Sequence, residues 1–161
     1  MISALFDLWN RHKQRIDREN KRLFFHEREV WWAQIGKNIG FEQDGKNQAF
    51  TRPVLVLTKF NRQVFWGVPL TTQEKTGKYY YPVTVSGSKT QSIAILSQLR
   101  LFDAKRLKDK IGEAAKEDFL LVKQKIARII VPDDSWFYVS GRSRRGVPKD
   151  IFSNSVTQFV A

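Results

Sequence analysis
Cysteine is missing from the 161-residue chain, and histidine occurs only twice, at His12 and His26. Without thiols there is no disulfide framework and no thiolate metal site, and two histidines cannot make the usual zinc cluster. The expectation is therefore no metal and no cofactor. Long apolar runs are missing too: nothing approaches the roughly 18 residues that a membrane span requires. The opening MISALFDLWNRHKQR has no basic segment ahead of an apolar stretch, so no export signal is expected. These absences predict a soluble cytoplasmic protein without a membrane partner. No Gly-Lys-Ser or Gly-Lys-Thr occurs, which excludes a phosphate loop of the Walker type, and no segment repeats.

Acidic residues are scarce. Against 28 Lys and Arg there are 16 Asp and Glu, a net charge of +12, and an excess of that size points to a polyanionic partner. Half of it lies between Trp31 and Arg100, where nine basic residues face three acidic ones. In both terminal segments the basic residues are interleaved with acids, the pattern of a solvated helix face. At 42% hydrophobic, the chain is long enough for one domain with a real core and a small appendage.

The most informative stretch is AFTRPVLVLTKFNRQVFWGVPLTTQE, residues 49–74. Val54 to Leu57 and Val64 to Val68 read as two strands, and Lys59-Phe60-Asn61-Arg62 has the length and chemistry of a hairpin connection. Antiparallel pairing would bring Arg52 and Thr71 to the same end of the sheet, a cation and a hydroxyl suited to a phosphate. Taken singly each has an ordinary reading: a solvated strand-edge arginine and a turn threonine. Pro53, lacking an N–H, belongs at the first residue or the edge of its strand.

Upstream, residues 3–23 read as a helix with Leu5, Leu8, Trp9, His12, Ile16 and Leu23 roughly on one face. It is expected to pack on the main domain. Arg28 to Ile35 reads as a strand in which Trp31 and Trp32 point to opposite faces. Gly36 to Gln48, with three glycines and Lys37 and Lys46, reads as a mobile polar flap. Glu42 is its one carboxylate besides Asp44.

Downstream, Gln73 to Tyr81 reads as a basic, aromatic loop and Pro82 to Val85 as a short strand. Tyr79, Tyr80 and Tyr81 suit either stacking on unpaired bases or a half-buried strand. Ser92 to Ser97 reads as a buried strand that delivers Gln98, Arg100 and Asp103 to its C-terminal end. Asp103 to Leu107 predicts a helical turn and Lys110 to Gly112 a short strand. Lys116 to Ile130 predicts an amphipathic helix, with Phe119, Val122, Ile126 and Ile129 at core spacing and Glu117 and Asp118 in the first turn, where the dipole favours acids. Pro132 stops it. Beyond lie Trp136 to Val139, a further candidate strand, and the basic loop Gly141 to Gly146.

The ordered segments REVWWAQIGKNIGFEQDGK, TRPVLVL, FWGVPLTT, SQLRLFDAKRL and KIGEAAKEDFLLVKQKI resemble the MazF/PemK (Kid-like) toxins of bacterial type II toxin–antitoxin systems, from about Arg28 to Ile130. The resemblance implies an α+β, mainly β fold: a small twisted antiparallel β-barrel-like sheet with a C-terminal helix, here with an added N-terminal helix. It divides the chain into a helical extension at 1–25, the toxin-like domain at 26–131 and a C-terminal extension at 132–161. The implied activity is that of an endoribonuclease (mRNA interferase) cutting single-stranded RNA without a metal, usually as a homodimer, and silenced by a cognate antitoxin.

Carried over by residue, Arg52 matches the family's catalytic arginine and Thr71 its active-site hydroxyl. Glu42 and Gln43 match the Glu-Gln of the flap, with Glu42 a candidate acceptor of the 2′-OH proton. Gln98, Arg100 and Asp103 match the Gln-x-Arg-x-x-Asp segment, whose role is structural, at the dimer interface or catalytic. Lys37, Lys46, Lys59, Thr72, Lys75 and Tyr79 join Gln43 and Gln98 as expected RNA contacts. There are departures. Phe41 stands where some branches carry a flap histidine, and their later-strand acid and arginine are Ser97 and Ile95 here. The flap is also longer, with Lys46 to Thr51 before Arg52. Two other readings remain open from sequence: a non-catalytic nucleic-acid-binding barrel, and a relative acting on a protein such as DNA gyrase.

Overall fold
The computed structural model describes residues 2–20 and 22–131; the strand and basic loop expected beyond Pro132 lie outside the described residues. In chain order the elements are α1 (Ile2–Arg18), β1 (Glu29–Gln34), β2 (Thr51–Lys59), β3 (Val64–Thr71), β4 (Tyr80–Val83), β5 (Ser92–Ile95), β6 (Arg100–Asp103), β7 (Leu107–Glu113) and α2 (Lys116–Ile130). Single 3₁₀ turns at Leu96–Gln98 and Ala104–Arg106 flank β6. No helix among the described residues is long and apolar enough to cross a membrane.

The seven strands make one antiparallel sheet in the order β4-β5-β3-β2-β1-β7. β3 shares its second edge between two partners, β6 along Val64 to Gly67 and β5 at Leu70 and Thr71. The sheet is barrel-like without closing. One isolated bridge, Val85 to Ala114, links the ends of the outer strands, and Ser86 N donates to Glu113 O beside it.

Val54 to Leu57, a continuous run of valine and leucine, are all buried, as a central strand covered on both faces demands. Phe25, Phe65 and Phe102 form the aromatic centre, with ring centroids 4.9 and 5.4 Å apart. Trp31 is buried and Trp32 exposed, the alternation expected of adjacent strand residues. α2 has the predicted bounds and buries Phe119, Val122 and Ile126. Glu29 is buried too, accepting from Trp31 Nε1 (2.9 Å), His26 N (2.8 Å) and Lys110 Nζ (2.7 Å). Burial alone would raise its pKa, but these donors outweigh it and hold the carboxyl below its ordinary range.

Several expectations change. α1 ends at Arg18, five residues short of Leu23, because Arg18 to Lys21 offers no apolar residue to continue the stripe; Leu23 packs instead on the main core from the irregular segment that follows. Leu5 is exposed. Gln98, Arg100 and Asp103 do not prolong β5: the chain breaks at a 3₁₀ turn and starts the separate strand β6, whose single buried residue, Phe102, carries no legible alternation. β4 begins at Tyr80 and so takes Tyr80 and Tyr81 into the sheet, and β7 runs well beyond Lys110 to Gly112. Pro53 is the third residue of a central strand rather than the start of an edge.

α1 packs through Trp9 and Ile16 against Phe50. Trp9 lies 5.4 Å from Phe50 by ring centroids and fills the space beside Gly36, whose φ is +96°. Gly36 and Phe50 are the two ends of the β1–β2 loop, so one indole pins both. A Cβ at Gly36 would overlap Trp9 as well as strain the backbone, whereas Gly40, at φ +57°, has nothing within 4 Å. Gly36→Ala is expected to lower thermal stability well beyond the roughly 1–2 kcal/mol of left-handed strain that Gly40→Ala incurs. Thermal melts of the two variants check this.

Candidate active site
Arg52 and Thr71 are both 6% exposed. The β2–β3 register pairs Val54 with Pro69, and continuing it by two residues sets Arg52 across from Thr71. The ladder explains how an arginine is tolerated there. Val56 turns its carbonyl toward β1, accepting from Arg28 N at 2.9 Å; by alternation Pro53 faces β3, opposite Leu70, and has no N–H to offer. Arg52 Nη1 supplies a donor to that Leu70 carbonyl at 3.4 Å.

The rest of the guanidinium holds the flap. Nε donates to Asp44 O at 2.8 Å, and with the Gln43 amide turned to satisfy its neighbours, Nη2 donates to Gln43 Oε1 at 2.8 Å. Of the five N–H groups of an arginine, these bonds engage three, which leaves two for a ligand. No carboxylate lies within 4.0 Å of Arg52 among the described residues. Burial pulls its pKa below the ordinary arginine value and Asp44 partly restores it. Thr71 Oγ1 accepts from Gln73 N at 3.2 Å, so its O–H remains to donate. A partly dry cation beside a hydroxyl is an arrangement that takes an anion.

The flap base is built of short-range polar contacts. Gln98, on the turn before β6, accepts from Gln43 N at 3.1 Å and donates to Phe41 O at 3.2 Å. Asp44 accepts from Asn38 N at 2.6 Å and pairs with Lys37. Two further arginines anchor the end of β1: Arg100 Nη2 donates to Ile35 O (3.1 Å) and Arg106 Nη1 to Gln34 O (2.9 Å). Phe41, at the tip, is fully exposed.

Glu42 stands apart from Arg52. Its carboxylate accepts from Ile39 N at 3.3 Å and lines a cavity with Arg100 rather than with Arg52 or Thr71. Lys59 is at the opposite end of β2, roughly 23 Å from Arg52 at about 3.3 Å per residue, with Nζ on Phe25 O and over the Phe24 and Phe25 rings. It does not share a phosphate with Arg52. Thr72 and Lys75 are exposed in the loop after β3, Lys46 is exposed beside the bridge to Thr51, and Tyr79 is exposed under Lys78. The structure thus gathers Arg52, Thr71, Gln43 and Gln98. Asp44 and Arg106 were not singled out from sequence, because a carbonyl acceptor and a carbonyl-bound guanidinium leave no spacing signature; the Asp beside Glu42-Gln43 was the only available sign.

The family model described as PemK-like, MazF-like toxin of type II toxin–antitoxin system matches residues 26–130. Among solved structures, MazF from Deinococcus radiodurans superposes with a TM-score of 0.56 at 17% identity, over 67% of this chain and 97% of that one. The Mycobacterium tuberculosis toxin MazF-mt6 gives 0.50 at 19%, over 64% and 96%. An endoribonuclease in complex with its cognate antitoxin, from a mycobacterial species, gives 0.50 at 16%, over 65% and 92%. At such identities the likeness is one of fold. No curated protein matches the sequence.

Because Gln98 ties Gln43 and Phe41 to the sheet, Gln98→Ala is expected to speed amide exchange at Gln43 at least tenfold while leaving exchange in β2 unchanged. Residue-resolved hydrogen exchange measures both.

Proposed function
Because the chain belongs to the PemK-like, MazF-like toxins of type II toxin–antitoxin systems, we propose that it is a metal-independent endoribonuclease cutting single-stranded RNA at a phosphate held by Arg52 and Thr71. The observation that carries this reading is the buried Arg52 without a carboxylate, two N–H groups in hand, across the ladder from a threonine hydroxyl. In this reaction the ribose 2′-OH attacks the adjacent phosphorus, the bond to the 5′-oxygen breaks, and the products are a 2′,3′-cyclic phosphate and a 5′-hydroxyl. Negative charge concentrates on the nonbridging oxygens of the phosphorane, where preorganised donors contribute most. A fixed bidentate fork suits that role better than a lysine ammonium, and the Thr71 hydroxyl orients the phosphate. Glu42 takes the 2′-OH proton only if the flap turns its carboxylate away from Ile39 N.

The toxin reading also brings a homodimer, a cognate antitoxin and action in the cytoplasm. Phe60, Trp66 and Leu101 support the first: Trp66 and Leu101 pair across β3 and β6, Phe60 meets Trp66 edge-on at 5.2 Å, and all three are exposed, an apolar surface fitted to a second copy. The positive middle of the chain supports an acidic or extended antitoxin segment laid near Lys37 and Lys75. The family match supports residues 26–131 as the toxin domain, with 1–25 and 132–161 as extensions.

Purified protein is expected to cut an RNA oligonucleotide in EDTA and leave a 2′,3′-cyclic phosphate; strict dependence on an added divalent metal refutes the mechanism, and binding without cleavage favours a non-catalytic barrel. Arg52→Ala is expected to lower the single-turnover rate by roughly 10²–10³, and Arg52→Lys to restore part of it. Thr71→Val keeps the shape and removes the hydroxyl, so its loss is chemical. The double variant falls less than the two losses combined, since both groups serve one phosphate. Circular dichroism is the folding control.

A further inference from the structure
α1 lies outside the matched family segment, yet it does more than cap the core. Between α1, the flap and β6 lies a cavity of about 640 Å³, within the roughly 300–1,000 Å³ of small-molecule sites. Its floor holds Arg100 and Arg106. Each uses one of its five N–H groups on a backbone carbonyl, and neither has a carboxylate within 4.0 Å among the described residues. Both are partly withdrawn from water: burial and then Arg106 lower the pKa of Arg100 while Glu42 acts to raise it, and burial lowers that of Arg106 while Asp103 acts to raise it. Glu42 and Asp103 act on them only from beyond ion-pair distance, and two partly buried like charges so incompletely compensated cost stability that a bound anion would offset.

The walls favour a nucleotide over a bare anion. From α1, Phe6 lines the cavity with its ring exposed, Asn10 adds a polar group, and Lys13 a positive charge beside the negative one of Asp7. Ile39 supplies exposed apolar surface opposite. The position favours RNA in particular. Glu42 lines this cavity while the next residue, Gln43, bonds Arg52, so the cavity and the Arg52 phosphate site flank one short stretch of flap.

We infer that this cavity is a nucleotide subsite for the single-stranded RNA, holding a phosphate neighbouring the cleaved one on Arg100 and Arg106 and stacking its base on Phe6 of α1. The inference rests on the proposed function for the identity of the ligand. It makes α1 a specificity element added to the toxin domain: the helix supplies the base-contacting wall and, through Trp9, holds the flap that forms the opposite one.

The test uses the full chain and a fluorescein-labelled, fully 2′-O-methylated RNA oligonucleotide, which binds but cannot be cut. Phe6→Ala is expected to weaken binding roughly tenfold, the loss of one stacked base. Lys13→Gln is expected to weaken it several-fold and to flatten the slope of log K against log salt by about 0.7, one phosphate contact to a single strand. Both side chains are exposed, so these variants keep the fold; Arg100→Gln, followed by circular dichroism, is expected to be weaker still. Unchanged affinity and slope in folded Phe6→Ala and Lys13→Gln overturns the subsite, as does saturation of the cavity by free 5′-UMP without competition against the RNA. Cleavage by the wild type in EDTA is scored separately. Cleavage with indifferent variants removes the subsite alone, and cavity-dependent binding without cleavage removes the nuclease reading alone.

Discussion
A guanidinium that is taken out of water without a carboxylate must be solvated by something, and the architecture around Arg52 follows from that requirement. Its partners are the carbonyls of Leu70 and Asp44 and the amide of Gln43. The first is left without a ladder donor by Pro53 across the strand, and the other two belong to the flap. One side chain therefore joins β2, β3 and the β1–β2 loop. Carbonyl dipoles stabilise the cation without neutralising it, so its charge is still available to a ligand, whereas an ion pair would have quenched it.

The same device recurs around the flap. Arg100 and Arg106 also donate to carbonyls, those of Ile35 and Gln34, at the point where β1 gives way to the loop. Trp9 completes the arrangement from outside the sheet by filling the space at Gly36 and Phe50. Lys105 Nζ on Asp17 O (2.5 Å) and the Arg22–Asp103 pair (3.5 Å) bind the end of α1 and the segment after it to the turn beyond β6. A long loop closes at little entropic cost per added residue; what gives this one a defined base is the set of donors aimed at its two ends.

The added helix changes how the flap can work. In a sheet without α1, the loop would be held from the Arg52 side, by Gln98 and, at its start, by Arg100 and Arg106. With α1 docked, its first half is also packed from behind, and the tip at Ile39 to Phe41 is the part left projecting. Specificity and flap position are thereby coupled through one helix, since the residues that would contact a base and the indole that pins the hinge are three positions apart, on neighbouring turns of one face.

Local periodicity was enough to read α2 from end to end, the β2–β3 hairpin, the opposed faces of Trp31 and Trp32, and the meeting of Arg52 with Thr71 at one end of the sheet, because each depends on side-chain spacing and on an antiparallel pairing that a short turn enforces. Ordered segments carried the family. Tertiary structure alone decided that Pro53 sits inside the sheet, that β6 exists, that Glu42 turns toward Arg100 while Lys59 is carried to the far end of β2, and that α1 stops at Arg18 and docks on the flap hinge. Those outcomes rest on partners distant in sequence, on carbonyl acceptors that every residue possesses alike, and on volume matched across elements, as Trp9 is to Gly36. A linear pattern encodes which face a residue takes; what that face then meets is set by the packing of the whole chain.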